Sequence, residues 1–260
     1  MSSESLPGIP TAADFRALAS SSPWRFTTLH LTHRCQQDNG STPIGGPVEV
    51  WLDRGTGRLT VRSGAGVETA EGVPYGTAVS LVSCNDHDHD HDDDGAVCAV
   101  QPSPDTGVVL RPDGLVAQRP EGWHYDHGDP MWRDYQFTAM LDPAELSQGI
   151  EVSDVAATVL GGRPTWSATC RPLLEEDEEG GGGYDPRCGC CPLLLSPASL
   201  IPEYGPEDPA LTTGEVPTVY CVHLDVQTGV VVDITALDGI GGSSLTNEIH
   251  AVDEPLDPPL

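Results

Sequence analysis

Three cysteines fall within four positions of the chain, at Cys188, Cys190 and Cys191. Thiolates are preferred ligands of zinc, which usually takes four ligands in proteins. The candidates for a fourth ligand are Cys170, Cys221 and His223. No second pair with Cys-x-x-Cys spacing accompanies the cluster, and on an extended strand Cys188 and Cys190 would point away from Cys191. Two interpretations therefore stay open: a zinc or thiol site, and structural thiols, because a buried free cysteine often serves as a small apolar residue.

A run of alternating histidine and aspartate offers a second metal-binding pattern. His87, His89 and His91 would share one side of an extended chain, and imidazole suits zinc, nickel or copper. The same composition is typical of a solvated surface loop that binds metal only weakly. The run is therefore a candidate metal site with an acidic loop as the alternative.

A third cluster, residues 123–129, combines aromatic rings, two imidazoles and two carboxylates. A general base could be built from such groups. No nucleophile elbow, His-Glu-x-x-His motif or dinucleotide-binding fingerprint accompanies them. The alternative is a strand and loop at the mouth of a cavity, and the sequence leaves enzymatic activity uncertain, with a non-enzymatic protein favoured.

Composition excludes several functional classes. The chain has 260 residues and a formal charge of −28, and all 12 of its basic residues are arginine. Without lysine, it can form no Schiff-base lysine, Walker A loop or kinase active site. The acidity argues against binding nucleic acid or an anionic membrane and would attract a basic protein partner.

The sequence also predicts where the protein resides. No apolar run approaches the ~18 residues of a membrane-spanning helix. Residues 1–7 lack both the basic and the apolar parts of a signal peptide. We therefore expect a cytoplasmic protein whose eight cysteines are mostly thiols or metal ligands.

The elements that would position these residues are mostly strands. Residues 11–20 predict a short helix capped by Thr11, and Asp142 is expected to cap another helix that begins with Pro143. Alternation of apolar residues and turn signals predict about ten strands. They are expected among thirteen candidate segments, residues 24–33, 48–52, 59–62, 77–82, 97–101, 108–111, 115–118, 135–141, 155–160, 165–170, 219–226, 230–237 and 247–252.

One domain is expected over residues 11–254, between flexible tails at 1–10 and 255–260. Two acidic insertions, at 85–95 and 175–183, should be mobile. Dense like charge cannot be buried without partners, and glycines have no side chain to pack.

The C-terminal half resembles the LolA/LolB-like superfamily of lipoprotein carriers. The matching motifs, in chain order, are Leu141-Asp142-Pro143, residues 159–163, Trp166, residues 224–229, Leu237-Asp238-Gly239 and Glu248-Ile249. A closer resemblance, at residues 10–16 and 184–192, is to an uncharacterised actinobacterial family with a Tyr-Asp-Pro-Arg-Cys-x-Cys-Cys-Pro motif. The superfamily resemblance implies an α+β, mostly β fold: a strongly curved antiparallel sheet, or half-barrel, with short helices on its concave side.

The resemblance implies a cavity that holds an acyl chain or another apolar group. Our first hypothesis is a cytosolic, non-catalytic protein that binds an apolar small molecule or lipid-like group. The candidate lining residues are Trp24, Phe26, Trp51, Trp132, Phe137 and Trp166. The alternatives are a regulatory module that binds a protein partner, and a protein dependent on zinc or thiols at Cys188, Cys190 and Cys191.

Overall fold

The computed structural model describes residues 9–36, 46–75, 78–81, 97–100, 107–120, 128–174, 182–212, 216–239 and 244–259. Within these ranges the elements are, in chain order, α1 (Ala12–Ala19), β1 (Thr28–Gln36), β2 (Val48–Asp53), β3 (Arg58–Ser63), β4 (Gly66–Glu71), β5 (Ala78–Leu81), β6 (Val97–Val100), β7 (Val109–Leu110), β8 (Val116–Gln118), α2 (Tyr135–Leu141), β9 (Ile150–Leu160), β10 (Arg163–Pro172), α3 (Pro197–Tyr204), α4 (Pro209–Thr212), β11 (Tyr220–Asp225), β12 (Val231–Ala236) and β13 (Ser244–Val252). None of these helices is long and apolar enough to cross a membrane.

Nine strands form one antiparallel sheet in the order β4-β3-β2-β1-β13-β12-β11-β10-β9. The sheet is open, because its end strands β4 and β9 do not pair with each other. The pairs β5-β6 and β7-β8 form two small separate sheets. The mostly β fold class, with a large antiparallel sheet and a few short helices, is confirmed.

One face of the large sheet carries the core. Strand residues such as Leu29 and Leu31 are fully buried there, in the same hydrophobic core as Phe15 and Leu18 of α1. Burial of each such side chain stabilises the fold by about 1.5–3 kcal/mol. The predicted cap of α1 is confirmed, since the Thr11 side chain accepts the backbone N–H of Asp14.

Several predicted strands are confirmed with small changes in their ends, and one was wrong. The first strand begins at Thr28 rather than at residue 24, because Ser22–Trp24 forms a 3₁₀ turn around Pro23. Residues 135–141 form helix α2 rather than a strand, because the Asp134 side chain accepts the N–H of Phe137 and caps a first turn.

The expected role of Asp142 as a helix cap was also wrong. Asp142 ends α2, and its buried carboxylate pairs with the Arg119 and Arg187 side chains. Pro143 precedes only a 3₁₀ turn at Ala144–Leu146, which has no side-chain cap. The Asp142-Pro143 pair therefore supplies a buried carboxylate instead of starting a helix.

Some predictions lie outside the described residues. These include the whole acidic insertion at 85–95, most of the insertion at 175–183 and nearly all of the N-terminal tail. Their mobility, like the single-domain assignment of 11–254, stays a prediction.

Candidate functional site

The three clustered cysteines lie on an irregular segment, residues 184–194, which we call the cysteine loop. A turn at Gly189 and Cys190 replaces the extended strand that would have separated the side chains. The Sγ atoms of Cys188 and Cys190 are 2.8 Å apart, and those of Cys190 and Cys191 are 3.8 Å apart. All three sulfurs lie within 4.8 Å of one another. They are the only such group of potential metal ligands among the described residues.

A single buried carboxylate, that of Glu145, holds both ends of the cysteine loop. Its Oε1 accepts the Tyr184 hydroxyl and, at 2.9 Å, the backbone N–H of Leu193. Its Oε2 accepts the backbone N–H of Arg187 at 3.1 Å. The Tyr184 hydroxyl in turn accepts the N–H of Leu194 at 3.1 Å. The residues before and after the thiols are thus fixed to one point of the core.

Side chains of α2 and the residue that ends it attach the loop a second time. The Arg187 side chain, which is 2 % exposed, lies 3.5 Å from a carboxylate oxygen of Asp142. The Gln136 amide donates to the carbonyl of Pro192 at 3.0 Å. The loop that carries the thiols is therefore held by buried polar contacts, which position ligand side chains before a ligand binds.

The three thiols have different tendencies to ionise. Burial opposes ionisation of Cys188, but hydrogen bonds from Cys190 and Cys191 outweigh it and lower the Cys188 pKa. The hydrogen bond to Cys188 raises the pKa of Cys190, and burial adds to this effect. Burial raises the pKa of Cys191, against the opposing hydrogen bond from the backbone of Tyr135. Cys188 is therefore the most easily ionised of the three thiols.

Two features flank the thiols. The Glu203 side chain lies against Gly189 so closely that a Cβ at this glycine would be 2.7 Å from Glu203 Oε2. A cavity of about 770 Å³ opens on the same side. Its lining is mostly apolar and includes Leu173, Leu174, Tyr184, Cys188, Ala198, Ile201, Pro202 and Glu203.

Three of the six predicted ligand-binding aromatics lie in the main core. Trp132 and Phe137 pack edge to face, with ring centroids 5.3 Å apart. Phe26 lies under the guanidinium of Arg54, whose Cζ is 3.8 Å from the ring centroid. All three rings are more than nine-tenths buried.

The other three aromatics are dispersed. Trp51 stacks on His30 at 4.9 Å, Trp24 lies under Arg119 at 5.5 Å, and half-buried Trp166 packs beside the core from β10. None of the six lines the cavities of about 770, 250 and 200 Å³ that the described residues form. Their contact with a ligand stays a prediction.

The other sequence-predicted ligands do not join the thiol cluster. Cys170 is buried on β10, and neither Cys221 nor His223 on β11 belongs to the group of three sulfurs. Cys221 and His223 do share a strand face, with Sγ and Nδ1 4.0 Å apart. The candidate metal ligands His87, His89 and His91, and residues 123–127 of the aromatic cluster, lie outside the described residues.

Sequence reasoning missed the buried charges. The Arg54 guanidinium is 1 % exposed and donates to both Asp129 oxygens, at 2.8 and 2.6 Å. The Tyr75 hydroxyl donates to the same carboxylate at 2.9 Å. Arg54 follows a strand in a glycine-rich turn, which indicates exposure, and Glu145 lies in a short polar segment. No periodic pattern in the sequence could have marked either side chain as buried.

Comparisons with known proteins give only distant likenesses. No protein-family model matches the sequence, and no curated protein is significantly similar to it. Among solved structures, lipoprotein LppX of Mycobacterium tuberculosis matches with a TM-score of 0.35 and 11 % identity, over 94 % of this chain and 96 % of that one. A chain of the Pseudomonas aeruginosa MucA/MucB complex matches with a TM-score of 0.36 and 14 % identity, over 93 % of this chain and 58 % of that one.

Because both TM-scores are low, the ligand or partner of neither protein is transferred to this chain. The resemblance to the actinobacterial family stays a prediction.

Proposed function

We propose that this chain is a thiol-dependent metal-binding protein in which Cys188, Cys190 and Cys191 bind one thiophilic ion. The observation that supports the proposal is the convergence of their three sulfurs within 4.8 Å. Zinc–sulfur bonds of about 2.3 Å in a tetrahedron separate the sulfurs by about 3.8 Å. The Cys190–Cys191 distance of 3.8 Å has this value, so little rearrangement is needed there.

The surroundings of the loop favour a cation. The chain carries a formal charge of −28, and Glu203 lies beside the thiols. Such a charge raises the local concentration of cations. Glu145 and Gln136 hold the loop, and supporting contacts of this kind typically change metal affinity by 10–100-fold. The proposal assigns the protein to the cytoplasm, where thiols stay reduced.

The test is a Co²⁺ titration of freshly reduced protein that has no affinity tag. Sulfur–cobalt charge-transfer absorption reports thiolate ligands and gives no signal for cobalt bound by the histidine run. We expect saturation at one ion per chain, and at least ~10-fold weaker binding in C188S, C190S and C191S. The matched control is C221S, which removes a half-buried thiol outside the cluster. An unchanged titration in the cluster variants, or no charge-transfer band, would reject the proposal.

A second candidate function is the binding of an apolar small molecule. The observation that favours it is the cavity of about 770 Å³ beside the cysteine loop, because cavities of this size and mostly apolar lining suit small-molecule ligands. The lining differs from the predicted aromatics and includes Leu173, Leu174 and Ile201. A panel of fatty acids and isoprenoids should give one saturable ligand, whose affinity falls in Ile201→Asp and is kept in Val67→Asp, at an exposed position on β4. No saturable response from the panel would reject this candidate.

A further inference from the structure

The number of donors in the thiol cluster restricts the kind of ion it suits. Among the described residues, no imidazole nitrogen or carboxylate oxygen joins the three sulfurs as a fourth close ligand. Zinc takes four ligands, so it would need water or a rearranged side chain to complete its shell. Trivalent arsenic and antimony form three bonds to sulfur, arranged as a pyramid, and a lone pair takes the remaining position. Three sulfurs therefore complete the coordination of arsenic(III) or antimony(III).

We infer that the preferred occupant of the site is a trivalent metalloid, arsenic(III) or antimony(III), held by Cys188, Cys190 and Cys191. This inference rests on the proposed function and narrows its ligand. The bond angles of such a pyramid are close to right angles, so its sulfurs lie closer together than those of a tetrahedral ion with similar bonds. The three sulfurs all lie within 4.8 Å of one another, so the cluster is compact enough for such a pyramid to form with small movements of the side chains.

The binding step balances without any change of oxidation state. Arsenous acid, As(OH)₃, reacts with three thiols to give As(SR)₃ and three molecules of water. Three As–O bonds break and three As–S bonds form. Each thiol proton leaves on the hydroxide that its sulfur displaces. No oxidant, reductant or further reactant is required.

Charge also favours the metalloid. Arsenous acid is neutral near pH 7, and its complex with three thiolates is neutral as well. A zinc complex of three thiolates would have a net charge of −1, close to Glu203 in a chain whose formal charge is −28. Zinc must displace the thiol protons into solvent. Arsenous acid accepts those protons on its own hydroxides.

The site is also open to a solute. Cys190 is exposed, and Cys188 and Cys191 are each half-buried. A small neutral molecule can therefore reach the sulfurs while the buried contacts of Glu145 keep the loop in place.

The experiment is a competition between arsenite and Co²⁺ in reduced, full-length protein without a tag. We expect one equivalent of arsenite to abolish the sulfur–cobalt band. The intact mass should rise by one arsenic atom less three hydrogens, which counts three As–S bonds. Arsenite affinity should change less than about threefold between pH 6 and pH 8, whereas zinc affinity should rise at least ~10-fold, because zinc binding releases protons.

Variants separate the cluster from other thiols. C188S, C190S and C191S should each bind arsenite at least ~10-fold more weakly, while C221S and Glu203→Gln keep full affinity. Because Cys190 is exposed, C190S and C190A test the inference with little risk to folding. Cobalt binding that arsenite fails to displace would overturn this inference and leave the proposed function intact. Absence of both ions from the cluster would overturn both.

Discussion

Replacing Glu145 with glutamine tests whether a buried carboxylate positions the thiols. The glutamate accepts three hydrogen bonds, from the Tyr184 hydroxyl and from the backbone of Arg187 and Leu193. Glutamine keeps one acceptor oxygen and places a donor NH₂ where the other oxygen was. The least disruptive orientation keeps the oxygen toward Tyr184 and Leu193. The NH₂ group then faces the N–H of Arg187, and both are donors.

The expected loss follows from that contact. A buried donor left without an acceptor costs about 1–3 kcal/mol, so the free energy of unfolding should fall by about that amount. The Arg187 backbone lies next to Cys188, so the loop should also loosen where the first thiol is held. We expect affinity for Co²⁺ or arsenite to fall about 10–100-fold, the usual effect of removing a contact that orients a ligand.

The assay pairs urea unfolding, followed by tryptophan fluorescence, with the Co²⁺ titration. Asp225→Asn is the matched control, because Asp225 is also fully buried and accepts several hydrogen bonds, including two from Arg163. We expect this control to lose stability and keep its affinity for the ion. If Glu145→Gln loses stability and binds Co²⁺ as tightly as the unchanged protein, the carboxylate does not position the thiols and the reasoning is refuted.

Three further predictions concern a glycine, an ion pair and a histidine. Gly189→Ala should weaken ion binding several-fold, because its Cβ would press on a glutamate side chain at 2.7 Å, whereas Gly64→Ala, in open space, should leave the titration unchanged. Arg54→Met should lower stability to urea by about 3–5 kcal/mol, since it leaves the Asp129 carboxylate buried without its partner; a loss under about 1 kcal/mol would contradict this. Burial lowers the pKa of His33 from 6.5 to about 4. The unfolded chain therefore binds the proton more tightly, so the free energy of unfolding should fall by about 3 kcal/mol as pH drops from 6.5 to 4. In urea unfolding at several pH values, His33→Asn should lack this part of the pH dependence.

The hairpins of the large sheet could be predicted from sequence because their signals are local. In β2 and β3, apolar and polar side chains alternate along each strand, and a turn joins the two strands. The pairs β9-β10 and β11-β12 have glycines at their turns. Helix α2 could not be predicted, because residues 135–141 lack a clear apolar period. Its start depends on one capping side chain, that of Asp134.

The candidate site was predictable in its residues and not in its geometry. The spacing of Cys188, Cys190 and Cys191 marks a cluster, but strand geometry would have separated the sulfurs. The loop that carries them is held by Glu145, which lies 48 positions before Leu193, one of the residues whose N–H it accepts. A contact between segments so distant in sequence produces no periodic pattern of residue types in either segment, so the sequence does not reveal it.

The position of the last strand has a consequence for folding during synthesis. Strand β13 lies in the middle of the sheet and joins β1 to β12. The junction between β1 and β13 is reinforced where the Asp253 carboxylate accepts the N–H of Thr27, 226 residues earlier in the chain. Until β13 leaves the ribosome, β1 to β4 and β9 to β12 can form only as two separate half-sheets with open edges. Contacts this distant in sequence form slowly, and exposed edges invite aggregation. A nascent chain of this protein should therefore depend on chaperones until β13 is made.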